Sequence, residues 1–583
     1  MQVRRQLNSL LRATSVAITL LAFSGQTVFA QDAPIYSLKD RFNPVIAQHG
    51  MVASQEAVAT NVGVDILKNG GNAVDAAIAT GFALAVTLPR AGNLGGGGFM
   101  LIHMSGSDAT EALDYREKAP AAAYKDMFLG PDGEPDKQKS RYSGLAIGVP
   151  GTVAGFAAAY KKHGSGNLTW AELIAPAIEL ADKGITVTPS LSAALTARLD
   201  RLIKDPATAN IFYKQGSVPY QPGETLVQKD LAGTLRLVAD KGVDGFYKGE
   251  VAENIAKKVR ATGGGMTVED LAAYEPVWRA PVTGSYRGYD IASMPPPSSG
   301  GVHIVEILNI LEGFPVRQFG PNSADTIHVM AEAMRRAYAD RSKYLGDPDY
   351  VTVPVKGLTS PAYADMLRES IRMDAATPSE EIKPADPYPY ESNETTHFSV
   401  VDKDGNAVSN TYTLNFSYGA GLTADGTGVL LNNELDDFSA KPGVPNAYGL
   451  IGGTANAVEG GKRPLSSMSP TLVFKDGDLY LATGSPGGSR IITTTLQIIL
   501  NVIDHQMNIA EATAVPRIHN QWLPDEIRIE EGLSPDTIKL LEARGHEVNL
   551  KNAMGSTQSI MIVDGTLAGA SDPRRAGALT AGY

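Results

Sequence analysis

Asn393-Glu394-Thr395-Thr396-His397-Phe398-Ser399-Val400-Val401-Asp402 is the stretch on which the fold turns. Just upstream, residues 383–394 hold Pro384, Pro387 and Pro389 among polar side chains, which is loop composition. From Thr395 the texture changes to a period-2 strand pattern. Lys403-Asp404-Gly405-Asn406 supplies turn residues, and a second strand is predicted through 408–415, so the pair reads as a hairpin. A threonine that opens a strand directly behind a cleavable loop has a chemical use. Its hydroxyl is a poor nucleophile alone, but an N-terminal residue carries a base in its own α-amine. Thr395 meets that condition. Thr396 is a rival by position, with its side chain on the opposite strand face. Strand-initial threonines are also ordinary structural residues, and the pattern by itself leaves that reading open.

Working outward, acyl transfer at such a hydroxyl needs donors for the developing oxyanion. Gly484-Ser485-Pro486-Gly487-Gly488-Ser489-Arg490 precedes an apolar segment of helical character. Adjacent glycines at a helix start present consecutive backbone N–H groups to an anion. Gly487 and Gly488 are the candidate donors, each able to lower the barrier by about 2.7–4 kcal/mol. Neither this loop nor the glycines at 95–98 matches a phosphate-loop or dinucleotide pattern, and no cofactor is expected. Two further motifs suit an amino acid. Ser466 and Ser467, in Lys462-Arg463-Pro464-Leu465-Ser466-Ser467-Met468-Ser469-Pro470, offer paired hydroxyls. Glu434 and Asp437, in Asn432-Asn433-Glu434-Leu435-Asp436-Asp437-Phe438, offer carboxylates to an ammonium group. Arg116 can grip a carboxylate bidentately. Taken singly, each of these also reads as a solvated surface group or loop cap.

Composition narrows the field. The 583-residue chain is long enough for two to four domains and a real core. Its 51 basic and 63 acidic residues give a net charge of −12, which argues against a nucleic-acid surface. With no cysteine, disulfides, thiol catalysis and Cys-ligated zinc are excluded. The nine histidines form no H-x-H or H-x-x-x-H pair, so no metal site is expected. Residues 1–30 read as a signal peptide: Arg4, Arg5 and Arg12, an apolar core over 13–23, then Val28 and Ala30 before the cut. That core is too short to span a bilayer, and no later segment has 18 uninterrupted apolar residues, so no membrane span is expected in the mature protein. Helices are predicted over 54–67, 73–86 and 302–311, after Gly488, and over 536–544. The region 150–375 reads as mostly helical, and apolar runs near 429, 471, 479 and 560 suggest strands. The coarse class is α/β (α+β) layers with the catalytic candidates in the last third.

At this point the motifs resemble those of the bacterial γ-glutamyltransferases, in order and over nearly the whole mature chain. They include Gly70-Gly71-Asn72-Ala73-Val74-Asp75-Ala76-Ala77, the 91–99 glycine run, Met294-Pro295-Pro296-Pro297-Ser298-Ser299-Gly300-Gly301 and Thr395-Thr396-His397. Val149-Pro150-Gly151-Thr152, Tyr338-Ala339-Asp340-Arg341-Ser342, the 463–470 and 484–489 motifs and Gly555-Ser556-Thr557-Gln558-Ser559 complete the set. The resemblance implies an Ntn-hydrolase αββα sandwich formed jointly by two subunits. It implies a precursor that cuts itself between Glu394 and Thr395, leaving a large subunit (31–394) and a small one (395–583) as a heterodimer. Glutathione and other γ-glutamyl compounds are the implied donors; water, amino acids or dipeptides are the implied acceptors. By the same resemblance Thr395 is the nucleophile, Thr413 positions it, and Gly487 and Gly488 form the oxyanion hole. Arg116, Ser466 and Ser467 hold the substrate α-carboxylate, and Asn415, Glu434 and Asp437 its α-ammonium. Tyr448 belongs to a lid loop over 442–449. Two departures stand out: Glu434 occupies a position where several bacterial relatives carry Gln, and Phe416-Ser417 replaces a more polar pair. Asp437 favours a γ-glutamyl substrate over a glutaryl one, because acylase relatives tend to lose it. The expected location is the periplasm, with secretion as the alternative.

Overall fold

Asp402 shows why the hairpin closes where it does. Its carboxylate accepts from the backbone N–H groups of Asp404 and Asn406, each at 3.0 Å, and from Ala73 N–H at 2.9 Å. The turn and the start of helix Ala73–Thr87 are thereby tied to one side chain. In this computed structural model of the protein, residues 42–107, 109–384, 396–447 and 449–583 are described. The expected signal segment 1–30, the expected cut between Glu394 and Thr395, and Tyr448 fall outside them. Strand Thr396–Asp402 pairs antiparallel with Ala407–Thr413, setting Thr396 against Tyr412 and Val400 against Val408. The second strand ends two residues before its predicted limit, since Asn415 has φ +70° and leaves the ladder.

Two seven-stranded sheets are built around this hairpin. In the first the order is Leu579–Gly582, Gly50–Ser54, Thr396–Asp402, Ala407–Thr413, Gly97–His103, Thr110–Tyr115 and Val277–Arg279. In the second it is Val45–Ala47, Thr566–Ser571, Gln558–Val563, Asp478–Thr483, Thr471–Lys475, Tyr289–Ser293 and Val282–Tyr286. Alternation along each strand sorts side chains into separate layers. Met51, Ala53, Phe99, Leu101 and Val401 of the first sheet pack against Leu472, Phe474, Ala482 and Ile560 of the second. The intervening Val52, Met100, Ile102 and Val400 face a helix layer instead, and Val473, Leu481 and Met561 face another. Both faces are covered, so polar residues of the central strands are buried too: all seven residues of Ala407–Thr413 are buried.

All fifteen residues of helix Ala73–Thr87 are buried, as expected for a helix apolar on every side. Helices Gly300–Glu312, Ala324–Tyr344 and Arg490–Ile503 cover the second sheet. The layer order is therefore helix, sheet, sheet, helix. Two expectations are corrected. The mostly helical middle region contains the hairpin Val282–Tyr286/Tyr289–Ser293, which forms one edge of the second sheet. The apolar run near 429 is a buried loop rather than a strand. The Asn432 side chain serves that chain turn, donating to the carbonyls of Gly95 and Gly148, both at 2.8 Å.

Candidate active site

Glycines let the strand ends close up around Thr413. A Cβ at Gly96 would lie 1.9 Å from the Thr413 carbonyl oxygen, so no other residue fits there. That carbonyl instead accepts from Asn93 Nδ2 at 2.9 Å. Thr413 is buried, and its Oγ1 accepts from the Asn415 N–H at 2.7 Å. Asn415 turns the chain outward and donates through Nδ2 to the Asn433 carbonyl at 2.9 Å, while Asn433 Oδ1 accepts from Phe416 N–H at 3.0 Å. These bonds join the strand end to the loop that carries Glu434 and Asp437.

Arg116 follows strand Thr110–Tyr115, whose partner in register, Gly98, adjoins the Thr413 partner Gly97. Its guanidinium is fully buried. It donates to Glu434, to Asp437 Oδ2 at 2.6 Å, and to the carbonyls of Pro464 (3.0 Å) and Leu465 (3.1 Å). Glu117 adds a third carboxylate at 3.7 Å. Burial disfavours the Arg116 cation, but Glu434, Asp437 and Glu117 together hold its pKa above the ordinary guanidinium value. The carboxylates answer in the other direction. Burial raises Glu434 well above the carboxylate range and lifts Glu117 to about 7, with Arg116 opposing both shifts. Three acids crowd one cation, and burial with mutual repulsion favours the protonated forms of Glu434 and Glu117.

The 464–467 loop continues from the Arg116 carbonyl partners. Ser466 N–H donates to Pro297 at 2.8 Å, and Ser466 O accepts from Ser299 N–H at 2.8 Å. Ser466 Oγ accepts from Met468 N–H at 3.1 Å, and Ser467 Oγ accepts from Arg341 at 3.1 Å. The triple-proline motif therefore braces the serine pair. Bonds thus run from Thr413 through Asn415, Asn433, Glu434 and Arg116 to the serine loop.

Gly487 and Gly488 have φ +145° and +66°, conformations that glycine adopts without strain, and they precede helix Arg490–Ile503. Gly487 lines a cleft of about 550 Å³ together with Thr413, Asn415 and Phe416. The glycine loop is held from three sides. Ser485 Oγ accepts from Ser556 N–H at 2.9 Å, Ser489 Oγ donates to Gln521 Oε1 at 2.8 Å, and the Tyr338 hydroxyl donates to the Ser489 carbonyl.

Residue-by-residue reading missed the role of His397. Its ring is buried, bonded to Thr411 Oγ1 at 2.9 Å and to Ser399 Oγ at 3.0 Å, and burial pushes its pKa down to about 3. A Cβ at Gly484 would lie 2.5 Å from that ring, so the strand beginning at 396 and the glycine loop are packed together directly. The Thr395-Thr396-His397 and Gly484 motifs were both visible; their contact was not.

Distant chain segments also bring His328, Glu332 and His546 within 4.8 Å of one another, the histidine–carboxylate grouping that linear spacing did not reveal. Glu332 already bonds Arg335 at 2.6 Å and Arg336 at 2.7 Å, and the imidazoles bond each other at 2.8 Å. The donor set is that of a buried hydrogen-bonded network.

The family model described as Gamma-glutamyltranspeptidase matches residues 59–582. The "Glutathione hydrolase proenzyme" of Escherichia coli (strain K12) is 57% identical over 578 residues, covering 98% of this chain and 99% of that protein. The protein of the same description from Pseudomonas sp. (strain A14) is 50% identical, over 93% of this chain and 95% of its own. A solved cephalosporin acylase from Bacillus halodurans superposes with a TM-score of 0.82 at 30% identity, covering 96% of this chain and 99% of that one. Matched across nearly its whole length in both sequence and fold, the chain belongs to the gamma-glutamyltranspeptidase family.

Proposed function

We propose that this protein is a self-processing γ-glutamyltransferase and glutathione hydrolase whose nucleophile is Thr395. In maturation, Thr395 Oγ attacks the Glu394 carbonyl, the peptide C–N bond breaks, and water hydrolyses the resulting ester. Breaking the C–N bond frees the Thr395 α-amine, and the hydrolysis restores its hydroxyl and leaves Glu394 with a free carboxylate. In catalysis the amine takes the hydroxyl proton as Oγ attacks the γ-carbonyl of the donor. The oxyanion is held by the N–H groups of Gly487 and Gly488. The leaving amine departs with the proton, and the γ-glutamyl ester passes to water or to an amine acceptor.

The observation that carries this reading is the meeting of Thr413 and Gly487 in one cleft. The register Thr396↔Tyr412 leaves Thr413 as the next residue beyond the described start of the strand. This register and the shared cleft support a positioning role for Thr413 and an oxyanion role for the glycine loop. The Arg116 cluster supports an α-amino acid end to the substrate: the guanidinium and the serine loop suit its carboxylate, and the surplus of acid at Glu434 and Asp437 suits its ammonium group. Tyr448 is assigned to a lid over the site. The 1–30 segment supports export, to the periplasm or, as the alternative, by secretion, and no described helix is long and apolar enough to cross a membrane.

The likeness to a cephalosporin acylase favours one rival, a glutaryl acylase. The buried pair Glu434 and Asp437 weighs against it, since a glutaryl group has no ammonium to meet them. Product analysis of glutathione turnover decides. We expect glutamate and cysteinylglycine in buffer, and γ-glutamyl-glycylglycine when glycylglycine is added. Faster cleavage of a glutaryl amide than of the matching γ-glutamyl amide would establish the acylase instead.

A further inference from the structure

Strand Thr396–Asp402 fixes the chain just after the proposed cut. Ahead of it, residues 370–382 form neither helix nor strand, yet side chains hold their backbone in place. Arg336 donates to the Ser370 carbonyl at 3.1 Å, and a Glu332 carboxylate oxygen accepts from Thr377 N–H at 3.0 Å. His328 Nε2 donates to the Arg372 carbonyl at 2.7 Å. A carbonyl only accepts, and this fixes the order of the neighbouring protons. His328 Nδ1 accepts from His546 Nε2 at 2.8 Å, and His546 Nδ1 accepts from Arg335 at 3.1 Å.

The end of this arm is fastened by residues from far along the chain. Ala376 N–H donates to the Arg544 carbonyl at 2.7 Å. Ser379 N–H donates to Asp525 Oδ2 at 2.7 Å, while Asp525 Oδ1 accepts from Arg335 at 3.0 Å. The Trp522 indole N–H is shared between the carbonyls of Ser379 (2.9 Å) and Ile382 (3.2 Å), both residues being buried. Trp522 has φ +67°, a left-handed conformation that a bulky side chain seldom adopts. Backbone strain of this kind persists where the surroundings demand a side chain in one place, and it clusters at functional sites. Here the demand is the indole N–H over the arm.

The proposed cut puts the arm in the large subunit and residues 522–546 in the small one, so the fastening crosses the boundary. From Ile382 to the ladder at Thr396 run 13 residues, 383–395; without the fastening the link would begin after helix Pro361–Glu369 and span 26, 370–395. Doubling the length of a link makes its closure about threefold less favourable. Orientation adds to this, because attack needs the Glu394 carbonyl aimed at both Thr395 Oγ and the glycine loop.

We infer that Trp522 and Asp525 are positioning residues for self-cleavage, fastening the 370–382 arm so that the bond ahead of Thr395 is presented for attack. The inference rests on the function proposed above and goes beyond it. Neither residue lines the cleft that holds Thr413 and Gly487, so glutathione turnover by the cut protein does not need them.

The test follows the precursor, made by cell-free synthesis and sampled over time on denaturing gels, and then measures glutathione turnover once cutting is complete. Trp522→Phe keeps the ring and loses the N–H; Asp525→Ala loses the acceptor. The double variant is expected to be cut at least fivefold more slowly than wild type, with kcat and KM of the cut form unchanged. Asp525→Asn, which retains an acceptor oxygen, is expected to be cut at the wild-type rate. Should the double variant fail to fold, Trp522→Phe alone decides, with slower cutting expected. Cutting at the wild-type rate in the folded variants, or turnover and melting temperature that fall together with the cutting rate, overturns this inference alone. A wild-type chain that is never cut overturns the proposed function with it.

Discussion

At the scale of single residues, the decisive feature is the ratio of charges around Arg116. One buried guanidinium meets Glu434, Asp437 and Glu117, and an arriving ammonium group would favour the ionised carboxylates that burial disfavours. A hydrogen bond to a charged group contributes about 1.5–3 kcal/mol, equivalent to roughly 10- to 150-fold in affinity. Asp437→Asn is therefore expected to raise KM for γ-glutamyl donors at least tenfold, with a smaller change in kcat. Steady-state kinetics checks this, and an unchanged KM would remove Asp437 from the substrate site. The residue types of this cluster were legible in the chain. Their meeting was not, because Arg116 is 318 residues from Glu434 and 321 from Asp437. Only a resemblance spanning the whole chain joined them.

At the scale of elements, the site depends on a strand and a loop held face to face. The His397 ring fills the space that a side chain at 484 would need. Gly484→Ala is expected to displace the oxyanion loop or the strand start, lowering kcat by at least 100-fold and slowing self-cleavage, while the fold persists. Activity assays and gels over time measure both; wild-type processing and turnover would show that this contact does not position the site. Strands with strong apolar content were readable, as at 396–402, 471–475 and 478–483. The hairpin at 282–293 was not, since Val282-Thr283-Gly284-Ser285-Tyr286 carries a mid-strand glycine and few apolar residues. Its pairing comes from the neighbouring Thr471–Lys475 strand, a tertiary effect that no local window contains.

At the scale of the whole molecule, the proposed cut divides the sequence without dividing the sheets. In the first sheet, strands Thr396–Asp402 and Ala407–Thr413 lie between Gly50–Ser54 and Gly97–His103. In the second, Tyr289–Ser293 pairs with Thr471–Lys475, and Val45–Ala47 with Thr566–Ser571. Segments from both sides of residue 395 share both ladders and the core between them, so cleavage leaves one folded body held by sheet hydrogen bonds and buried apolar surface. The four-layer class was legible only through the resemblance; composition and periodicity reached no further than α/β layers. The central claim is that a break ahead of residue 395 creates the catalytic amine, and mass measurement of the purified protein tests it most directly. Under denaturing conditions the account predicts two polypeptides, the smaller beginning at Thr395, and a single inactive chain for Thr395→Ala. An uncut wild-type chain that consumes glutathione at full rate, or a small fragment beginning at another residue, would contradict it.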